Sequence, residues 1–275
     1  MVGVRTVQAA VNYVAEAAGR GVYEIQDNSR SSLPLRTEMI TIRDARTTPA
    51  PPTLDREGFT LTEAPTAVRD FTDQGQVMGG YLPELAEVIA GLYGAARVWM
   101  SPGVVVRVTD GAERAARQTP DAARFLHLDY SSRSAPAFLE ETLGFDPDEA
   151  RRYRRIYAVN TWRSITPPAQ DVALAVCDKR SSSLDDLIVA DAHYNAGAAS
   201  RSFEISMVRH NSDHRWWYYS NMQPSELLVF KGWDLSPDPT PSVFHGAFVD
   251  PTCPPGAAPR TSIEARGFAL FESGA

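Results

Sequence analysis

From residue 96 to the C-terminus the chain is a succession of short runs rich in β-branched and aromatic residues, each cut off by proline, glycine or a polar turn. The runs are 96–100, 104–108, 125–130, 156–163, 174–178, 203–209, 216–220, 226–231, 243–249 and 262–271. None is long enough for a substantial helix, and the breakers at 101–103, 167–168, 211–213, 236–241 and 251–259 stop any of them from extending. Many short strands with such turns exclude a helical bundle. They predict a mainly β fold, a double-stranded β-helix (jelly roll, cupin-like) with appended helices. Apolar spacing predicts those helices over 7–19, 81–93, 135–141 and an arginine-rich 147–155, with Pro83 in a first turn and Gly94 as a cap. The stretch 109–123 is polar and reads as a loop or lid, and 216–220 reads as the hairpin partner of 203–209. The expected organisation is one domain over 1–275. Residues 1–95 form an N-terminal extension of helix and strand packed on a core of 96–275.

Two of the predicted strands carry the chemistry. His127 and Asp129 are two residues apart, and on a strand residues i and i+2 face the same side. His245 stands on a distant strand. Two imidazoles and one carboxylate make a facial set that leaves three positions open on an octahedral ferrous ion, enough for oxygen and a chelating co-substrate. A strand with a buried histidine and a surface aspartate would give the same His-x-Asp pair, so the downstream residues matter. After His245 come Arg260 and Ser262, which share a strand face. A guanidinium beside a hydroxyl suits the far carboxylate of 2-oxoglutarate. Arg266 has the same parity and is the second candidate for that clamp.

As a set, several stretches resemble the CmcJ/AsaB-like hydroxylase/desaturase family of natural-product pathways. They are 11–13, 44–46, 54–59, 81–95, His127-Leu128-Asp129-Tyr130, Asn160-Thr161-Trp162-Arg163 with Pro167-Pro168, 174–178, 226–234, 243–248 and 259–266. The resemblance spans most of the chain. It implies a jelly-roll oxygenase that uses iron(II), 2-oxoglutarate and O2, with His127, Asp129 and His245 as ligands. The reaction would be hydroxylation, desaturation or oxidative cyclisation of a small molecule. No glycine-rich loop supports a methyltransferase. Two alternatives from other classes stand beside it: an iron oxygenase that takes no 2-oxoglutarate, and a non-catalytic jelly-roll partner or binding protein.

Asn160, Arg163 and Tyr130 are the candidate substrate contacts. Arg163 and the arginines of 151–155 hint at an acidic small molecule. His210 and His214 flank a turn, so they lack the helical spacing of a second metal site. A net charge of −7 argues against nucleic acid or an anionic membrane as partner. No stretch approaches the roughly 20 apolar residues that span a bilayer. The N-terminus lacks the charged-then-apolar pattern of a signal peptide. Two cysteines cannot build a disulfide framework, so a reducing, cytoplasmic setting is expected. Oligomeric state is not legible.

Overall fold

The computed structural model describes residues 3–15, 20–117, 119–144, 152–194, 200–236, 239 and 242–272. Fifteen strands occur among them. They are β1 (Thr6–Val14), β2 (Val22–Glu24), β3 (Leu35–Asp44), β4 (Phe59–Glu63), β5 (Arg97–Met100), β6 (Val105–Val108), β7 (His127–Leu128) and β8 (Tyr153–Ser164). The rest are β9 (Val172–Cys177), β10 (Leu187–Tyr194), β11 (Arg201–Val208), β12 (Trp216–Tyr218), β13 (Glu226–Asp234), β14 (His245–Val249) and β15 (Thr261–Glu272). The main helices are α1 (Leu82–Tyr93), α2 (Gly111–Arg117) and α3 (Ser134–Leu143).

The strands form two sheets. One runs β1-β3-β12-β9-β14-β7-β11-β10-β2, the other β4-β13-β8-β15-β5, with β6 also on β15. Early strands are interleaved with late ones: β7 lies beside β14, β8 between β13 and β15, and β9 between β12 and β14. That interleaving is the jelly roll expected from the strand pattern. Its consequence for chemistry is that the two ends of the second half of the chain meet across the sandwich.

Parity sorts the side chains of the second sheet. In β15, Ile263, Ala265 and Ala269 pack with Leu82, Leu85 and Ile89 of α1 and with Val159. The alternate residues Ser262, Glu264 and Arg266 stand opposite Ser164, Trp162 and Asn160 of β8 and face the other sheet. In the first sheet Val176 and Leu174 of β9 join Phe230, Trp162 and Val243 in the inter-sheet core.

Residues 7–19 were expected to be helical, but residues 6–14 are strand β1, and 16–19 lie outside the described residues. Val7, Ala9, Val11 and Tyr13 alternate into a core with Ile42, Trp216 and Phe248. Pairing with β3 along the whole of β1 overrides the helix propensity of the alanines. Strand β1 also crosses back over its own sheet. The Leu126 N–H donates to the Asn12 carbonyl at 2.8 Å, and Val14 bridges Arg209. The first 95 residues therefore supply edge strands to both sheets as well as α1. Strand β12 is not the hairpin partner of β11, because both edges of β11 are taken by β10 and β7; it joins β3 and β9 instead. The polar stretch 109–123 contains α2, whose start is capped by the Asp110 carboxylate accepting from the Glu113 N–H at 2.7 Å. Of the expected arginine-rich helix, 153–155 begin β8 and 145–151 lie outside the described residues. Among the described residues no helix is long and apolar enough to cross a membrane.

Gly246, beside His245, allows the close approach of the segment that leads into β7. A Cβ there would meet the Phe125 carbonyl oxygen at 2.6 Å, a backbone atom that cannot swing away. Gly246→Ala is expected to destabilise the fold by about 1–3 kcal/mol, measured as a lower urea midpoint with an unchanged slope.

Candidate metal centre

Register builds the centre. His245, the first residue of β14, lies directly opposite His127, the first residue of β7. Residues opposite one another in a ladder share a face, so the two rings meet, with centroids 4.3 Å apart. The strand carrying His127 is only two residues long, so Asp129 lies just beyond it rather than on it. The chain there is tied by Ser131, whose N–H donates to Ser134 Oγ at 2.8 Å and whose hydroxyl donates to Glu204 at 2.7 Å. Asp129 still reaches both rings: its Oδ1 is 3.8 Å from His127 Nε2, and its Oδ2 is 3.7 Å from His245 Nε2. Those separations are too long for hydrogen bonds, yet the three ligand atoms all lie within 4.8 Å of one another. A single ion could touch all three.

The protonation states suit a metal. His127 Nδ1 lies 2.9 Å from the Phe125 carbonyl oxygen. That contact puts the ring proton on Nδ1 and leaves the Nε2 lone pair facing the centre. Burial pushes the His127 imidazolium down, with the Asp129 charge opposing. Burial and then the neighbouring His127 push His245 down to about 3. Burial would raise the Asp129 carboxyl, but Arg266 and then the two imidazoles outweigh it and hold it well below the usual carboxylate range. Two neutral imidazoles and one carboxylate are the donor set that ferrous iron takes as a facial triad. Phe230 packs on the His245 ring at 4.8 Å and Phe125 on the His127 ring at 4.9 Å, walling the site from water.

Arg260 is fully buried and makes no ion pair among the described residues. Its guanidinium lies over the Trp162 ring at 5.3 Å and donates one hydrogen bond, from Nη1 to the Val172 carbonyl at 3.3 Å. Burial lowers its pKa to about 10. Arg260 Nε, Ser262 Oγ and Trp162 Nε1 are all buried without a partner among the described residues. A buried cation and orphaned donors on one interior strand row are costly unless something anionic completes them.

The other expected residues are placed differently. Arg266 does not stand free to clamp a co-substrate. It grips Asp129 with two parallel bonds, Nε to Oδ2 at 3.0 Å and Nη2 to Oδ1 at 2.8 Å. Asn160 also donates to Asp129 Oδ2, through Nδ2. Arg163 lies on the opposite face of β8, three residues from Asn160 and thus of opposite parity. It is spent on the Tyr81 hydroxyl and on the Pro224 and Ala64 carbonyls, at 3.3, 2.6 and 2.6 Å. Its guanidinium is thus already engaged on the helix-facing side of β8. Tyr130 is buried against Ala135 and Leu139 of α3, and its hydroxyl, raised by burial, feels the opposing charges of Arg266 and Asp129. His214 is not a second metal ligand: Nε2 pairs with Asp186 at 3.1 Å, and Nδ1 lies 3.4 Å from the Tyr13 hydroxyl.

Sequence reasoning missed Arg107 and Glu264. Arg107 Nε bonds Glu264 Oε1 at 2.6 Å, and Glu264 Oε2 approaches Arg266 at 3.7 Å. Glu264 has the parity of Arg260, Ser262 and Arg266, so the signal was present in the row itself. Arg107 interrupts an otherwise apolar strand, which is the mark of a cation with a buried partner.

Comparison with known proteins agrees with this geometry. Residues 11–270 match the model of the oxidoreductase/YMDC permease-like domain. The chain belongs to that family. It is 28% identical to the hydroxylase/desaturase efuI of Hormonema carpetanum over 85% of this chain and 84% of that one. It is also 28% identical to the Fe(II)/2-oxoglutarate-dependent dioxygenase nvfI of Aspergillus novofumigatus, over 78% of this chain and 76% of that one. The solved iron and alpha-ketoglutarate-dependent endoperoxidase NvfI superposes with a TM-score of 0.80, covering 98% of this chain and 99% of its own at 22% identity. At that identity the superposition establishes the shared jelly roll.

Because both imidazoles titrate below the ordinary value of about 6.5, protons compete with metal only at low pH. Cobalt(II) affinity is expected to change by less than about threefold between pH 7.5 and 6.0. Two ordinary imidazoles would already be mostly protonated at pH 6.0 and would weaken it by roughly tenfold or more. A pH series of cobalt titrations in a non-chelating buffer measures this.

Proposed function

We propose that the protein is an iron(II)- and 2-oxoglutarate-dependent oxygenase that hydroxylates, desaturates or oxidatively cyclises a small molecule. The observation that carries this reading is the buried His127, Asp129 and His245 set, with ligand atoms within 4.8 Å, in the same sandwich as the buried, uncompensated Arg260. The names of the relatives, a hydroxylase/desaturase and a 2-oxoglutarate-dependent dioxygenase, support the same chemistry.

In this reading the three residues hold iron. Arg260 and Ser262 take the distal carboxylate of 2-oxoglutarate, giving Arg260 Nε and Ser262 Oγ the partner they lack. When bound, iron with O2 and 2-oxoglutarate supplies the oxidising equivalents, and the protein supplies position and dryness. His127 and His245 stay neutral and keep Nε2 available. Arg266 and Asn160 hold Asp129 still. Phe230 packs on the His245 ring and joins Trp162 in the apolar core between the sheets, which keeps water from that side of the triad. The strands that residues 1–95 add to both sheets support a single oxygenase domain over 1–275. The acidic-substrate reading loses one support, since Arg163 is already spent. The partner in this reading is a small molecule, with neither nucleic acid nor membrane involved. Both cysteines are unpaired, which favours a reducing, cytoplasmic compartment.

Anaerobic titration of the apo-protein with ferrous ion and then 2-oxoglutarate tests the assignment. A weak visible charge-transfer band is expected, requiring both additions and absent in Asp129→Ala and His245→Ala. Arg260→Met is expected to weaken 2-oxoglutarate binding by about 10–100-fold, the size of a lost charged hydrogen-bond pair, while iron still binds. Iron binding without a band would remove 2-oxoglutarate from the reading. No iron binding would leave a jelly-roll binding protein in its place.

A further inference from the structure

Asp129 is held by more protein donors than a metal-ligating carboxylate needs for its own stability. An ionised carboxylate has about four lone-pair positions. Arg266 Nε and Asn160 Nδ2 both donate to Oδ2, and Arg266 Nη2 donates to Oδ1 at 2.8 Å. That leaves Oδ1 a single position, and Oδ1 is the oxygen 3.8 Å from His127 Nε2. Arg266 is itself held from behind. Glu264 Oε2 lies 3.7 Å from Arg266 Nη2, and Glu264 Oε1 accepts from Arg107 Nε at 2.6 Å. Arg107 is tied in turn to the Tyr23 hydroxyl at 3.2 Å and the Asp121 carbonyl at 2.8 Å. The result is a charged row from Arg107 of β6 to Asp129, with signs alternating at each step.

We propose that Arg266 and Asn160 are positioning residues for the metal. They fix Asp129 as a one-oxygen ligand through Oδ1, and Glu264 with Arg107 fixes Arg266. This inference rests on the iron site proposed above. It gives Arg266 a role distinct from that of Arg260: Arg266 acts on the ion through Asp129, whereas Arg260 acts on the co-substrate. The bidentate fork is the essential element, because a lysine carries the same charge but cannot span both oxygens. One-oxygen ligation also keeps coordination positions open, which a carboxylate free to rotate onto the ion with both oxygens would close.

The test is Arg266→Lys, which preserves charge and so isolates geometry. Cobalt(II) affinity is read by titration and the ligand field by the visible spectrum. 2-Oxoglutarate affinity is then measured on metal-saturated protein, with Arg260→Met as the converse. The expected result is a 10–100-fold loss of cobalt affinity, the usual effect of removing an outer partner of a ligand, with a changed spectrum. The 2-oxoglutarate affinity of the loaded protein should stay within about threefold of the unsubstituted chain, as the charged partners of Arg266 are Asp129 and Glu264. Unchanged cobalt affinity and spectrum would overturn the proposal, as would unchanged metal binding with lost 2-oxoglutarate binding. If Arg266→Lys does not fold, Asn160→Ala removes the other donor to Oδ2 and is held to the same two readouts. The unsubstituted protein separates the two levels. Failure to bind cobalt there removes the iron site itself, while normal binding there with normal binding in Arg266→Lys removes only the positioning role.

Discussion

One register pair carries the site: His245 against His127 at the junction of β14 and β7. A slip of one residue in that ladder would turn either imidazole to the opposite face. The ladder itself is short, so the register is held from outside. Gly246 lets the Phe125 backbone come within reach, β9 pairs along the length of β14, and Asn12 of β1 catches Leu126 just before His127. The metal-facing geometry is thus a by-product of how tightly neighbouring strands are pinned.

The charged interior follows from that frame. Asp129, Glu264, Arg107, Arg260 and Arg266 would each be expensive to bury alone. Four of them are arranged in alternation, Arg107, Glu264, Arg266, Asp129, so each charge lies between or beside opposite ones. Arg260 is the exception: among the described residues no carboxylate pairs with its guanidinium, which is stacked on Trp162. The contrast is one of environment between two arginines of the same parity, one within an alternating charge row and the other stacked on an indole.

What the sequence made legible divides along the same line. Strand-length runs and breakers gave the β architecture, and His-x-Asp with a late histidine gave residues that the fold brings together. The arginine row could be ordered by parity but not assigned, since sequence cannot tell which cation meets the carboxylate from the other sheet. Arg163 was misplaced for want of that parity argument, as it is three residues from Asn160 and hence on the helix-facing side. Residues 7–14 were misread because alanine-rich alternation fits two periodicities at once, and only the partner strand β3 decides between them. Glu264 and Arg107 were passed over because an acid–base pair inside a sandwich looks like any surface pair until burial is known.

The interleaving of early and late strands has a consequence during synthesis. His127 and Asp129 emerge more than a hundred residues before His245, and Arg260 and the strand bearing Glu264 and Arg266 follow later still. A nascent chain therefore holds only two of the three residues of the candidate set, with no charged row behind Asp129. The three residues cannot come together until β14 and β15 slot between their older neighbours. The order of the strands thus makes assembly of the candidate centre a late event, coupled to closure of both sheets.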